Sequence, residues 1–188
     1  MKKILFGIGF ILVTCSIVAC SGSEQTAEKS DGSPNKYFSL SEYFNEQIDR
    51  LQTDSTEVFK TVEVNGKSES KRMHIANWNN EFAPFIDADI NKSAWVNSYA
   101  IDSTATSLTY TSKEPDLKTR LIQLQFAENG HIISIIIENQ VENWIYSARE
   151  RLSYYPDSVY SIEKEQDIRI VGENRYKVRG EFYFKLSR

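Results

Sequence analysis

From Trp95 onward apolar residues recur at every second position, and this period of two, sustained through the C-terminal half of the chain, restricts the fold more than any other feature. Trp144, Tyr146, Ala148, Leu152 and Tyr154 form one such series, Tyr160, Ile162, Ile168 and Ile170 a second, and Tyr176, Val178, Phe182 and Phe184 a third. Strands of this kind, joined by turns at Tyr155-Pro156-Asp157 and Gly172-Glu173-Asn174, make an antiparallel meander. The sharpest register comes from Asn129-Gly130. A two-residue loop there opposes Glu128 to His131, Phe126 to Ile133, Leu124 to Ile135 and Ile122 to Ile137, with every apolar member on one face. Gln123, Gln125 and Ser134 take the other face, where Ile132 and Ile136 interrupt the polarity, so the strand over 132–137 is expected to be central and partly covered on both sides.

Helical periods precede the meander. Ser39-Leu40-Ser41-Glu42 is a capping-box pattern, with Phe38 and Tyr43 as its hydrophobic staple. Leu40, Tyr43, Phe44, Gln47, Ile48 and Leu51 then follow one helical face, which predicts an amphipathic helix to about Gln52. Residues 57–64 alternate as a strand and meet Asn65-Gly66, the dipeptide of a type I′ hairpin. The return strand over 67–75 is polar until Met73, which places it at a sheet edge. A second helix is predicted from Asn77 as N-cap through Trp78, Glu81, Phe82, Phe85 and Ile86, with a kink or new start at Pro84. Six or seven strands of such length twist strongly, with the helices filling the concave side. The fold class is therefore α+β: a curved antiparallel meander sheet, an open half-barrel, with two N-terminal helices packed on one side.

The first residues carry an address. Lys2 and Lys3 precede an apolar run over 4–13, and the segment ends in Ile17-Val18-Ala19-Cys20, which resembles a bacterial lipobox. The apolar stretch over 4–19 is shorter than the roughly 20 residues of a membrane-spanning helix and is interrupted by Thr14, Cys15 and Ser16. Cys15 follows Thr14, a larger and more polar residue than Ala19, so Cys20 is the attachment candidate. The resemblance implies a signal peptide over 1–19, acyl chains on Cys20 that hold the protein to a membrane, a flexible tether over 20–36 and a single globular domain over 37–188. A lone mature cysteine bound in a thioether leaves no disulfide and no thiol nucleophile. No Asp directly follows Cys20, so inner-membrane retention is disfavoured and delivery to the outer membrane is expected, on its periplasmic face or at the cell surface. The chain resembles small envelope lipoproteins of the Bacteroidota type. Its expected architecture also resembles the lipoprotein-carrier half-barrels, which hold acyl chains.

Charge and motifs bound the chemistry. Twenty-two Lys and Arg face 26 Asp and Glu for a net charge of −4, without a basic cluster interleaved with aromatics, so nucleic acid is not an expected partner. Asp87-Ala88-Asp89-Ile90-Asn91 begins like an EF-hand loop, but Lys92 stands where glycine is required and Ser98 where a bidentate Glu is required. His74 and His131 have no His or Cys at ligand spacing, and no G-x-S-x-G elbow or phosphate-cradling glycine loop occurs. No catalytic residue, metal or cofactor is therefore assigned. Asp54-Ser55-Thr56, Asp102-Ser103-Thr104 and Asp157-Ser158-Val159 resemble the O-glycosylation sequon of Bacteroidota envelopes, which makes Ser55, Ser103 and Ser158 candidate glycosylation sites. The leading functional expectation is a non-catalytic interaction or accessory module with an envelope protein partner. The alternatives are a carrier of an apolar or lipid ligand in the half-barrel, and a hydrolase without a recognisable motif.

Overall fold

The computed structural model describes residues 36–183. Nine strands form one antiparallel sheet that does not close into a barrel, two more than the upper sequence expectation, and two helices pack on one of its faces. In chain order the elements are α1 (Leu40–Thr53), β1 (Glu57–Val64), β2 (Lys67–His74), α2 (Trp78–Asp87), a 3-10 turn (Ser93–Trp95), β3 (Tyr99–Ser103), β4 (Ser107–Ser112), β5 (Thr119–Phe126), β6 (Ile132–Glu142), β7 (Tyr146–Tyr155), β8 (Val159–Ile168) and β9 (Gly172–Tyr183). The sheet order is β2-β1-β9-β8-β7-β6-β5-β4-β3. Strands β3 to β9 are thus an uninterrupted meander, and the N-terminal hairpin joins it by pairing β1 with the last strand, Val58 opposite Phe182 and Val62 opposite Val178. Polar β2 lies at one edge, as its charges require.

Each helix is held by its own termini. Ser39 Oγ accepts the Glu42 amide at 3.2 Å, the first half of the expected capping box, and the Phe38 and Tyr43 rings meet at 5.7 Å. The last turn of α1 closes in a Schellman motif, with the Thr56 amide donating to Leu51 O and the Ser55 amide to Gln52 O, and Ser55 takes the left-handed conformation usually reserved for glycine. Asn77 caps α2 through the Asn80 amide. Pro84 neither ends nor restarts α2, which continues to Asp87.

One face of the sheet and both helices enclose an aromatic core. α1 buries Leu40, Phe44, Ile48 and Leu51, and α2 buries Trp78, Phe82 and Phe85. Phe82 meets Phe44 at 5.4 Å, Tyr154 at 5.7 Å and Tyr160 at 5.4 Å, while Trp78 meets Phe182 at 6.0 Å. Gly180 makes room for this arrangement. It stands opposite Tyr160 on the neighbouring strand, and a Cβ there would lie 2.2 Å from Tyr160 Cε1.

The hairpin at 129–130 corrects the expected loop while keeping most of the expected register. Ala127 and His131 pair around a three-residue loop whose last member, Gly130, has φ +83°. That loop shifts the pairing by one, so Phe126 faces Ile132 instead of Ile133, and a bulge before Ser134 restores Leu124 opposite Ile135 and Ile122 opposite Ile137. Ile132 consequently packs against the core and Ile133 is exposed, the reverse of the alternation read from sequence. The β8–β9 turn is also displaced: it occupies 169–171, and Gly172 with φ +89° closes it instead of opening it. Trp144 and Ile170, read as strand residues, stand in turns.

Two stability predictions follow from these contacts. Ile135→Asp places a carboxylate in a fully buried site and should cost several kcal/mol, whereas Gln125→Asp on the opposite face should cost less than about 1 kcal/mol; thermal melts of the two variants check this register. Gly180→Ala should cost about 1–3 kcal/mol by forcing the Tyr160 ring from its place, and should become nearly neutral in a Tyr160→Ala background, a non-additivity that a double-mutant cycle of urea midpoints measures.

Candidate functional site

The helices cover only part of their face of the sheet, and the boundary is written in the side chains. Along each strand the core-facing series turns from apolar to polar at the same row: Ile137 gives way to Asn139, Leu152 to Glu150, Ile162 to Lys164 and Val178 to Tyr176. Asn139, Glu150, Lys164 and Tyr176 are successive cross-strand neighbours, and Gln166 and Asn174 pair in the next row. With Asn80, Glu81 and Pro84 of α2 as a wall, Glu150, Lys164, Tyr176, Gln166 and Asn174 line a trough of about 490 Å³, and Asn139 stands beside Glu150 outside that lining.

Most polar groups of the trough are spoken for. Glu81, mostly buried, accepts from Lys60 Nζ at 2.6 Å and from the Tyr160 hydroxyl at 2.6 Å, which locks α2 to β1 and β8. Glu150 accepts from Asn139 Nδ2 at 2.8 Å, and Gln166 Nε2 donates to the Tyr146 hydroxyl. Asn139 Oδ1 is buried without a hydrogen-bond partner among the described residues. Lys164, half-buried between Glu150 and Tyr176, forms no hydrogen bond or ion pair among the described residues. It is the cation the trough leaves available.

The opposite face carries charge in ladders. Glu138, Arg151, Glu163, Lys177 and Glu63 are consecutive cross-strand neighbours of alternating sign, and Gln140, Arg149, Glu165 and Arg175 form the next row. Both rows line a groove of about 520 Å³. Arg151 pairs with Glu138, Lys177 with Glu163 at 2.8 Å and Arg175 with Glu165 at 3.6 Å. The Lys177 hydrogen bond holds the Glu163 carboxyl below its ordinary pKa. Its small contribution to stability is present above the ordinary carboxylate range and is lost as pH falls through the lowered value. Most of these charges satisfy one another, Arg149 and Glu63 alone of the two rows forming no ion pair among the described residues.

The residues singled out in the sequence do not converge. Asp89 and Asn91 of the EF-hand-like stretch serve the chain itself. Asp89, nearly buried, accepts the Ser41 amide at 2.8 Å at the start of α1, where a carboxylate is favoured, and also the Asn91 amide. Asn91 clamps the incoming chain by accepting the Tyr37 amide and donating to the carbonyls of Tyr37 and Phe38. His74 ends edge strand β2 and His131 closes the β5–β6 turn; both are exposed. Ser55, Ser103 and Ser158 are exposed at element boundaries, all at the strand ends that carry the 128–130 and 156–158 turns. Cys20, the signal segment over 1–19 and nearly all of the tether over 20–36 lie outside the described residues. Among the described residues no helix is long and apolar enough to cross a membrane, and no group of three His, Cys, Asp or Glu side chains is placed to hold a metal.

The core tyrosines are held neutral. Burial pushes Tyr43 and Tyr99 up to about 12, and raises Tyr154 and Tyr160 further, the latter also because Glu81 is beside it. A raised native pKa means that stability is full below the ordinary tyrosine value of about 10 and declines as pH rises toward the native values, by about 1.4 kcal/mol per pH unit for each of the well-buried Tyr154 and Tyr160 and by less for Tyr43, where solvent screens the effect. Urea midpoints measured from neutral to alkaline pH should show this decline, and Tyr154→Phe should flatten it.

Comparison with family models, with curated proteins and with solved structures finds no match to this chain.

Proposed function

We propose that this chain is a lipid-anchored protein of a bacterial cell envelope, held through Cys20 to the outer membrane, and that it works there as a non-catalytic interaction module whose docking site is the trough beyond α2. The observation that carries this reading is the division of the helix-bearing face. Where a carrier would keep space for cargo, Phe44, Phe82, Phe85, Tyr154 and Tyr160 are in mutual ring contact. Where the helices end, the sheet is open and offers Lys164, flanked by the remaining hydrogen-bonding capacity of Gln166 and Asn174 and by Asn80 of α2. Such a floor suits a hydrogen-bonding, anionic segment of an envelope protein better than an acyl chain. A catalytic reading draws no support from the same residues, since Glu81 and Glu150 are engaged by Lys60, Tyr160 and Asn139.

Native mass spectrometry of protein gently extracted from membranes should give the processed chain plus the acyl groups on Cys20, and stoichiometric additional lipid would instead establish the carrier reading. Cys20→Ser should release the protein from membranes and abolish acyl labelling. A photo-crosslinking residue at Asn80 on the trough wall should yield one discrete adduct in intact cells, lost in the Lys164→Glu background, while the same probe at Ser70 on the β2 edge should yield none.

A further inference from the structure

Two turns at one end of the sheet carry the three most exposed large apolar side chains among the described residues. The β6–β7 turn presents Trp144 and Ile145, and the β8–β9 turn presents Ile170 and Val171; Trp144 is 79% exposed, Ile170 90% and Val171 71%. The turns are neighbours. Their strands pair through Tyr146 and Ile168, and the Arg169 amide donates to Ile145 O at 3.0 Å. Trp144 makes no ring contact among the described residues. A contiguous apolar projection of this kind marks a surface that something covers.

We infer that these turns dip into the interfacial layer of the bilayer in which the Cys20 anchor sits, an inference that rests on the lipoprotein reading. The backbone of the turns is prepared for leaving water. Asn143 Oδ1 accepts the Ile145 and Tyr146 amides at 3.0 Å each, the Asn143 amide donates to Tyr146 O, the Arg169 amide to Ile145 O and the Val171 amide to Ile168 O. A lipid cannot supply those partners, and the protein supplies them for these five amides, leaving only the Trp144 and Ile170 amides at the turn tips without a partner among the described residues. The side chains suit the same layer, in which tryptophan is the preferred residue and branched aliphatics reach toward the acyl boundary.

The point at which the chain enters the domain agrees. Lys36 Nζ donates to Asn97, and the Tyr37 ring lies against Tyr99 at the start of β3, at the strand ends shared by the 143–145 and 169–171 turns. Residues 21–36 can span at most roughly 50 Å when extended, more than the roughly 20 Å that separates β3 from β7 across the sheet, so an anchor at Cys20 lets the turns reach the same leaflet. The charges beside the turns are mixed, with Arg149, Arg169 and Arg175 among Glu142, Asp167 and Glu173, so the contact is apolar in origin and persists in high salt.

The test uses the full chain isolated from membranes and reconstituted in phosphatidylcholine vesicles with bromine on an upper acyl carbon. The acyl mass on Cys20 is read separately by mass spectrometry. The emission present in the wild type and missing from Trp144→Phe should fall about twofold or more in brominated vesicles, at low and high salt alike, because the indole sits at the interface. Quenching of that component supports the inference whether or not Cys20 carries lipid, and an unacylated Cys20 overturns only the anchor reading. An acylated protein whose Trp144 emission is indifferent to bromine overturns the inference and leaves the anchor standing. Trp144 shielded from aqueous acrylamide without bromine quenching also overturns it, and assigns the turns to a protein partner or a second copy. Trp144→Phe changes an exposed turn, so its thermal midpoint should match the wild type.

Discussion

The described structure depends on Phe82. Its ring is in contact with Phe44 on α1, with Trp78 and Phe85 on its own helix, and with Tyr154 and Tyr160 on β7 and β8, so a single side chain joins both helices to the middle of the sheet. Edge-to-face pairs of this kind add about 0.5–1.5 kcal/mol each beyond the area they bury. They also bring two hydroxyl groups into an apolar layer, and each needs a partner: Tyr154 donates to Gln47 and Tyr160 to Glu81. The mostly buried Glu81 and its Lys60 partner follow from that need. Polar chemistry at the edge of the core is thus a consequence of choosing tyrosine over phenylalanine inside it.

Because the helices have 14 and 10 residues, they span roughly 21 and 15 Å, and β6 to β9 run on beyond them. What lies past the helices is a sheet surface still flanked by α2, which is how a trough arises without a dedicated lid or loop. The two faces of the sheet then differ in kind. On the open face opposite charges stand beside each other and cancel, which keeps a broad β surface soluble; in the trough Lys164 has no such neighbour within bonding distance.

Much of this was legible in the sequence, for identifiable reasons. Asn65-Gly66 fixed its hairpin because both positions take positive φ, as a type I′ turn demands. Ser39, Asn77 and the apolar faces of the two helices announced themselves through side-chain chemistry that acts locally. Asn129-Gly130 misled because the same dipeptide also ends a three-residue loop, in which Gly130 alone needs positive φ; the difference lies in a bulge at Ile132 and Ile133 that no local pattern marks. Trp144 and Ile170 were read as strand residues because periodicity registers apolar character and not depth. The trough did leave a trace, the switch from Leu152 to Glu150 and from Ile162 to Lys164 along core-facing positions, but its meaning depends on where two short helices stop. That is a tertiary fact. Strands β3 and β4 were not delimited at all, since Tyr110 is the one fully committed core residue of β4 and the rest of its series is half-exposed.

The pairing of β1 with β9 has a temporal side. Glu57 meets Tyr183 across most of the described chain, so the N-terminal hairpin has no strand to join until the last strand has been made and delivered. Closing so long a loop is slow compared with forming the neighbouring hairpins of the meander. A chain emerging N-terminus first therefore holds Val58 and Val62 without their Phe182 and Val178 partners, and β8 as an unprotected edge, until β9 has emerged. Every shortened product that lacks the final strand keeps that edge, which makes the last dozen described residues the segment that separates a finished molecule from an aggregation-prone one.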